Sequence, residues 1–162
     1  MKQVGINDNK QLETQLLAEW RETLPAGWQS LTHVHVSQIA LLPQFKNYAP
    51  NMLRAVANWN DWADMRIFTG GEVWLVEATI VNNGKKYGQL LEYLSDYPQS
   101  TDYQQFKPAP IVGVVLTAFE RKASTQLFAQ QGIRTVVFTP LWANTSLYSK
   151  VLNPGGTVGN GS

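Results

Sequence analysis

The chain has no cysteine, little charge and no long apolar run, and each shortage narrows what it can be. Without cysteine there is no disulfide framework, no thiolate zinc site and no cysteine nucleophile. Charged residues make up 15% of the 162 positions, against roughly 25% in an ordinary soluble domain. Lysine and arginine number 13, aspartate and glutamate 12, so the formal charge is +1 with both histidines neutral. That balance argues against a protein that coats DNA by bulk positive charge and against a charged disordered tail. No segment approaches the roughly 18 consecutive apolar residues of a membrane helix. The opening MKQVGINDNKQLETQ lacks the apolar core of a signal peptide. The expectation is a protein with no membrane association and no export by that route.

What the chain does have is 44% apolar residues, enough for one core, and six tryptophans, at 20, 28, 59, 62, 74 and 142. On a weakly charged surface, tryptophans suit a protein that meets partners through apolar area. The length predicts a single domain over 1–152 followed by a Gly-rich tail, NPGGTVGNGS, at 153–162.

Periodicity orders the elements. Asn7-Asp8-Asn9 offers a cap, and Leu12, Leu16, Leu17, Trp20 and Leu24 form one helical stripe that Pro25-Ala26-Gly27 ends. Residues 30–36 alternate as a strand, with Leu31, His33 and His35 on one side and Thr32, Val34 and Val36 on the other. The 37–62 segment has no legible period. DMRIF and VWLVEATIV read as a hairpin joined by Thr69-Gly70-Gly71-Glu72, ended by Asn82-Asn83-Gly84. A helix over 86–97 would bury Leu90, Leu91, Leu94 and Tyr97, and a polar loop would run from Pro98 to Pro110. IVGVVLTA at 111–118 and IRTVVFT at 133–139 read as buried strands, with a helix between them capped by Ser124 and closed by Gly132. The order predicts an α/β fold: a mixed central sheet flanked by helices.

Chemistry concentrates between Asp64 and Tyr93. On VWLVEATIV, Glu77 and Thr79 share one strand face, while Trp74, Val76, Ala78 and Ile80 share the other. Glu77 is therefore a carboxylate on an apolar, central strand, where burial without a partner costs several kcal/mol. Asp64 on the preceding strand can come beside it, and two adjacent carboxylates need a cation between them. A divalent ion held by oxygen ligands is one solution. Pairing of Asp64 or Glu77 with Arg66 or Lys86, or exposure to solvent, is the other. Gln89 and Tyr93, four apart, share one helical face.

Asp64, the run WLVEAT and GQLLEYL, followed by two further core strands, together resemble the PD-(D/E)XK nuclease superfamily of restriction-endonuclease-like folds, over about 63–140. Gln89 and Tyr93 look like the Q-x-x-x-Y motif of its RecB-type members, and the whole layout looks like a group of small phage-encoded proteins with this fold. The resemblance implies that Asp64 and Glu77 bind Mg²⁺ or Mn²⁺, with the Ala78 carbonyl as a further ligand, for metal-activated hydrolysis of a phosphodiester. It also implies a first-helix glutamate, Glu13 or Glu19, and a lysine that stabilises charge at the phosphate. The lysine position holds Thr79, whose hydroxyl orients water but carries no charge. Lys85 or Lys86 could supply that charge from the next turn.

Two functional expectations follow. One is a phage structural or assembly protein of the portal, neck or tail, in virion or host cytoplasm, built on a nuclease fold whose chemistry has lapsed. Its partners would be other virion subunits or a second copy, met through tryptophans and the C-terminal tail. The other is an active divalent-metal-dependent DNA nuclease using Asp64, Glu77, Thr79, Gln89 and Tyr93. Weaker candidates are His33 with His35 as a metal pair without a third ligand, Lys107, Arg121, Lys122 and Arg134 as phosphate contacts, and Trp59 with Trp62 as a base-stacking or interface pair. The glycines at 155, 156 and 159 do not have the spacing of a phosphate loop.

Overall fold

A computed structural model describes residues 6–36, 47, 49–52 and 62–144. Trp59, most of the 37–62 segment and the Gly-rich tail with its 152/153 boundary lie outside the described residues. Helix α1 (Ile6–Glu22) buries Leu16, Leu17 and Trp20. It starts earlier than its polar triplet suggested: Asn7-Asp8-Asn9 lies inside the first turn. Backbone N–H groups there have no intrahelical partner, so short polar residues are tolerated as well as at the cap. Leu24 falls just beyond the end, where the Thr23 hydroxyl donates to the Trp20 carbonyl at 2.7 Å.

Strands β1 (Gln29–His35), β2 (Trp62–Phe68), β3 (Val73–Val81), β4 (Ile111–Phe119) and β5 (Arg134–Val137) form one sheet in that spatial order. The β1/β2 and β2/β3 pairs are antiparallel; β3/β4 and β4/β5 are parallel. The β2–β3 hairpin turns at 69–72, where the Thr69 side-chain oxygen accepts from the N–H groups of Gly71 and Glu72 at 3.3 and 3.0 Å. Helix α2 (Gly84–Asp96) connects β3 to β4, and helix α3 (Lys122–Ala129) connects β4 to β5. The fold is thus α/β, a mixed sheet with helices on both faces.

The alternation of β3 assigns its neighbours. Val76, Ala78 and Ile80 pack with Met65, Ile67, Val114 and Leu116 under α1. Val73 and Leu75 pack with Val115 and Ile133 under Tyr87, Leu90 and Tyr93 of α2. Helix α2 comes close to β4 because Gly113 has no side chain: a Cβ there would lie 3.3 Å from Leu94 Cδ1 and 3.6 Å from Leu90 Cβ.

Several boundaries and faces differ from the pattern reading. Leu91, expected inside, is 37% exposed, since only part of the α2 surface meets the sheet. Ser124 sits within α3 rather than capping it; the cap position is Arg121, whose backbone N–H is taken by the Asn82 side chain. Gly132 does close the helix, at φ +78°. The last strand is short and half-exposed because β5 is the sheet edge. The supposed polar loop holds two 3₁₀ turns, Tyr97–Gln99 and Asp102–Phe106, with Tyr97, Tyr103 and Phe106 buried.

That segment is fastened by a charge. Arg66, 6% exposed on β2, donates through Nε and Nη2 to the two Asp102 oxygens, both at 3.0 Å. The Tyr97 hydroxyl donates to the same carboxylate at 2.5 Å, and Phe106 lies under the guanidinium at 4.6 Å. Asp102→Ala strands a buried guanidinium and is expected to destabilise the fold by about 3–5 kcal/mol. Glu72→Ala, which breaks the exposed pair with Arg134, should cost about 1 kcal/mol or less. Urea midpoints of the two variants check the contrast.

Candidate functional site

Glu77 enters the core because its strand does: β3 lies between β2 and β4, and the residue is 2% exposed. Its Oε1 accepts the backbone N–H of Asp64 at 3.2 Å, and one Asp64 oxygen accepts the N–H of Ala78 at 2.9 Å. The hairpin therefore ties each carboxylate to the other strand. The second Glu77 oxygen accepts from Lys86 Nζ at 3.3 Å, and Glu13 of α1 reaches the same ammonium at 3.9 Å. Lys86 is placed there by the start of α2, where the Asn83 side chain caps the helix by accepting from Lys85 N–H at 3.1 Å.

These groups line a cleft of about 510 Å³ together with Thr79, Gln89, Tyr93 and Trp62. The structure thus brings together all five residues singled out by sequence. It also separates the alternatives left open there. Of the two first-helix glutamates, Glu13 faces the cleft, while Glu19 accepts from the Trp142 indole N–H. Of the two lysines, Lys86 reaches Glu77; Lys85 lines the cleft wall with its side chain exposed. Arg66, weighed as a partner for the carboxylates, is committed to Asp102.

The remaining groups have distinct roles. Thr79 donates its hydroxyl proton to the Val81 carbonyl at 3.0 Å, leaving only acceptor capacity toward the cleft. The Tyr93 hydroxyl donates to the Trp62 carbonyl at 3.0 Å, bracing β2 two residues before Asp64. Gln89 Oε1 is buried with no hydrogen-bond partner among the described residues, an acceptor awaiting a donor. Lys10 and Thr14 on the α1 wall escaped the sequence reading. Lys10 lies three residues before Glu13 and Thr14 three before Leu17, and that helical spacing was the available signal.

Other candidates resolve differently. His33 and His35 both pack on Trp62, with ring centroids 4.0 and 3.2 Å away. No group of three or more His, Asp or Glu residues among the described residues forms a ready cation site. Arg134 is bound through both Nη atoms to Glu72, and Lys107 lies over the Tyr103 ring. Of the described tryptophans, Trp20 is buried and Trp28, Trp62, Trp74 and Trp142 are half-buried. No described helix is long and apolar enough to cross a membrane.

Burial and the nearby Asp64 charge push the Glu77 carboxyl up to about 7, against the pull of Lys86. Burial also raises Glu13. Lys86 is desolvated, but Glu77, Asp64 and Glu13 together hold it protonated, above its ordinary range. By donor chemistry, carboxylates from adjacent strands suit a hard divalent cation such as Mg²⁺ or Mn²⁺; in the arrangement described, the ammonium of Lys86 is the cation between them. Comparison with protein-family models, with curated proteins and with solved structures finds no match.

Glu77 gives the fold a pH dependence of defined sign. The unfolded carboxyl ionises near 4.5 and the folded one near 7, so the unfolded chain loses its proton first and stability falls as pH rises through that window. Glu77→Gln should match wild type near pH 4 and exceed it above pH 7, by up to about 3 kcal/mol. Denaturation at a series of pH values reads the difference directly.

Proposed function

We propose that the chain is a divalent-metal-dependent phosphodiesterase acting on DNA, with a restriction-endonuclease-like core. The observation that carries this reading is the position of Lys86. The strand position expected to hold a lysine holds Thr79, and the Lys86 ammonium reaches the neighbouring Glu77 from α2 at 3.3 Å. Three carboxylates and a lysine inside a cleft are costly to fold, and such perturbed groups gather where chemistry is done.

In this mechanism Asp64 and Glu77, with Glu13 behind them, would hold Mg²⁺ or Mn²⁺, and that ion would supply Lewis-acid and water-activating chemistry at the phosphate. Lys86 remains protonated and neutralises charge that develops on the phosphoryl oxygens. Tyr93 fixes β2, and with it Asp64. Gln89 Oε1 accepts a hydrogen bond from the substrate or its water, and Thr79 contributes acceptor lone pairs.

A second reading is favoured by a different observation. Arg66 and Arg134 are each bound to a carboxylate, and the chain's formal charge is only +1, a small surplus for gripping a duplex. On that reading the protein is a phage structural component of the portal, neck or tail, in contact with virion subunits or a second copy, and its chemistry has lapsed.

Incubation of linear and supercoiled DNA with Mn²⁺ or Mg²⁺ separates the two. The nuclease reading expects metal-dependent cleavage, abolished in Glu77→Ala and lowered about 10²-fold or more in Lys86→Ala. Adding Thr79→Lys to Lys86→Ala should restore part of the rate by returning the charge to the strand. Wild type inert in both metals supports the structural reading instead.

Mn²⁺ is also expected to raise the melting temperature, increasingly so as pH rises through 7, because the ion competes with the proton on Glu77. Asp64→Asn should lose most of that increment in a thermal-shift titration.

A further inference from the structure

A second groove leaves the catalytic cleft along the other side of α1. It has a volume of about 480 Å³ and shares Lys10, Thr14, Leu17 and Asp64 with the first, so the two meet at Asp64. Arg21 and Glu22 of α1 form its far end, while Thr32 and His33 of β1 line it beside Asp64, across the β1/β2 register. Lys10, Thr14, Leu17 and Arg21 are spaced four, three and four apart and form a single stripe of the helix. At 1.5 Å per residue, Lys10 and Arg21 are about 16 Å apart along the axis.

Arg21 differs from the other arginines whose partners are described. Arg66 and Arg134 are each neutralised by a carboxylate. Arg21 is held by neutral oxygens alone: its Nε donates to Ser30 Oγ at 2.7 Å and its Nη2 to the Ser30 carbonyl at 3.0 Å. The guanidinium is oriented, it has no ion pair among the described residues, and three of its five N–H donors are without a partner among them. An oriented guanidinium with donors to spare matches the geometry of a phosphate.

The groove also contains the backbone outlier of β1. His33 has φ +56°, costly for a residue with a side chain. Its ring stacks on Trp62, which lines the catalytic cleft. The junction of the two clefts is thereby walled by a His–Trp stack rather than by a regular strand.

We propose that this α1–β1 groove holds the sugar-phosphate backbone of the strand being cut, beside the scissile bond, with Arg21 as its principal phosphate contact and Lys10 as a second. The proposal rests on the phosphodiesterase reading for its catalytic end, while the phosphate contact itself is read from Arg21. Glu22 lines the same end, where its carboxylate opposes anion binding and Arg21 must outweigh it.

The test is anisotropy of a fluorescein-labelled 12-nucleotide single strand and of the matching duplex, with Ca²⁺ present, at several salt concentrations. Arg21→Gln is expected to weaken binding about tenfold and to lower the slope of log K against log salt by about one. Arg134→Gln, whose guanidinium is already taken by Glu72, should change neither. Ser30→Ala, which removes the Nε contact but leaves the Nη2 bond to the backbone carbonyl and the charge, should weaken binding less than Arg21→Gln and keep the slope. Unchanged affinity and slope in Arg21→Gln, or no binding by wild type, overturns the groove. Hydrolysis of bis(p-nitrophenyl) phosphate by wild type with Mn²⁺, a diester too short to span the groove, is measured alongside. Arg21-dependent binding without that hydrolysis keeps the groove and removes the phosphodiesterase; hydrolysis without Arg21-dependent binding does the reverse.

Discussion

A carboxylate at the centre of a β-sheet is tolerated here because an ammonium reaches it. Glu77 lies on the strand between β2 and β4, where helices cover both faces and water cannot solvate it. Its oxygens are satisfied by a backbone N–H from the neighbouring strand and by Lys86. The rest of the cleft is arranged around that pair. Asp64 adds negative charge beside Glu77, and Glu13 adds more from α1. Lys86 stays protonated because three carboxylates outweigh its own desolvation. Removing the lysine would leave the buried Glu77 without its ion-pair partner, and the Asn83 cap sets the start of the helix that brings that lysine in.

The fold delivers these groups to one place by simple means. A tight hairpin puts Asp64 and Glu77 on adjacent strands with their side chains on the same face, and the β3–α2 connection brings Lys86 back over that face within a few residues. Gly113 lets α2 lie close on β4, and Tyr93 on the same helix bonds to the Trp62 carbonyl. Away from the cleft, a second buried charge serves only architecture. The Arg66–Asp102–Tyr97 cluster clamps the 97–106 segment onto β2, and all its partners are accounted for. One buried cation closes a structural network, whereas the other faces a cleft that also contains an amide oxygen with no partner among the described residues.

Much of this was legible in the sequence, and the failures have physical reasons. Period-two alternation located β2 and β3 and put Glu77 and Thr79 on one face, because a strand's side chains have only two directions. Helical spacing likewise placed Gln89 with Tyr93. Burial of Leu91 and the depth of the last strand were misjudged because apolar character does not say which element supplies the covering layer. The 98–110 segment looked like a loop because its two buried aromatics, Tyr103 and Phe106, are too few to mark a helical stripe among polar neighbours. The choice between Glu13 and Glu19, or between Lys85 and Lys86, depended on how α1 and α2 rotate against the sheet, which no local pattern encodes. His33 was invisible in principle: nothing in SLTHVHV announces a left-handed residue in mid-strand.

Thr79 and Lys86 are best understood as one choice rather than two residues. Both line the cleft, and a lysine at 79 would project from the same strand face as Glu77, toward the space the Lys86 ammonium occupies. Two ammonium groups there would repel each other in a poorly solvated pocket and would need a further carboxylate to offset them. With Lys86 present, position 79 therefore favours a small residue that satisfies its own polar atom, and threonine does so by bonding the Val81 carbonyl within its own strand. The substitution that by sequence looked like the loss of a charge is, in the folded chain, the condition for that charge to come from the helix. A lysine on a helix stem has more room to shift along the cleft than one fixed to a central strand, which is what the proposed replacement of the ammonium by a divalent ion would require.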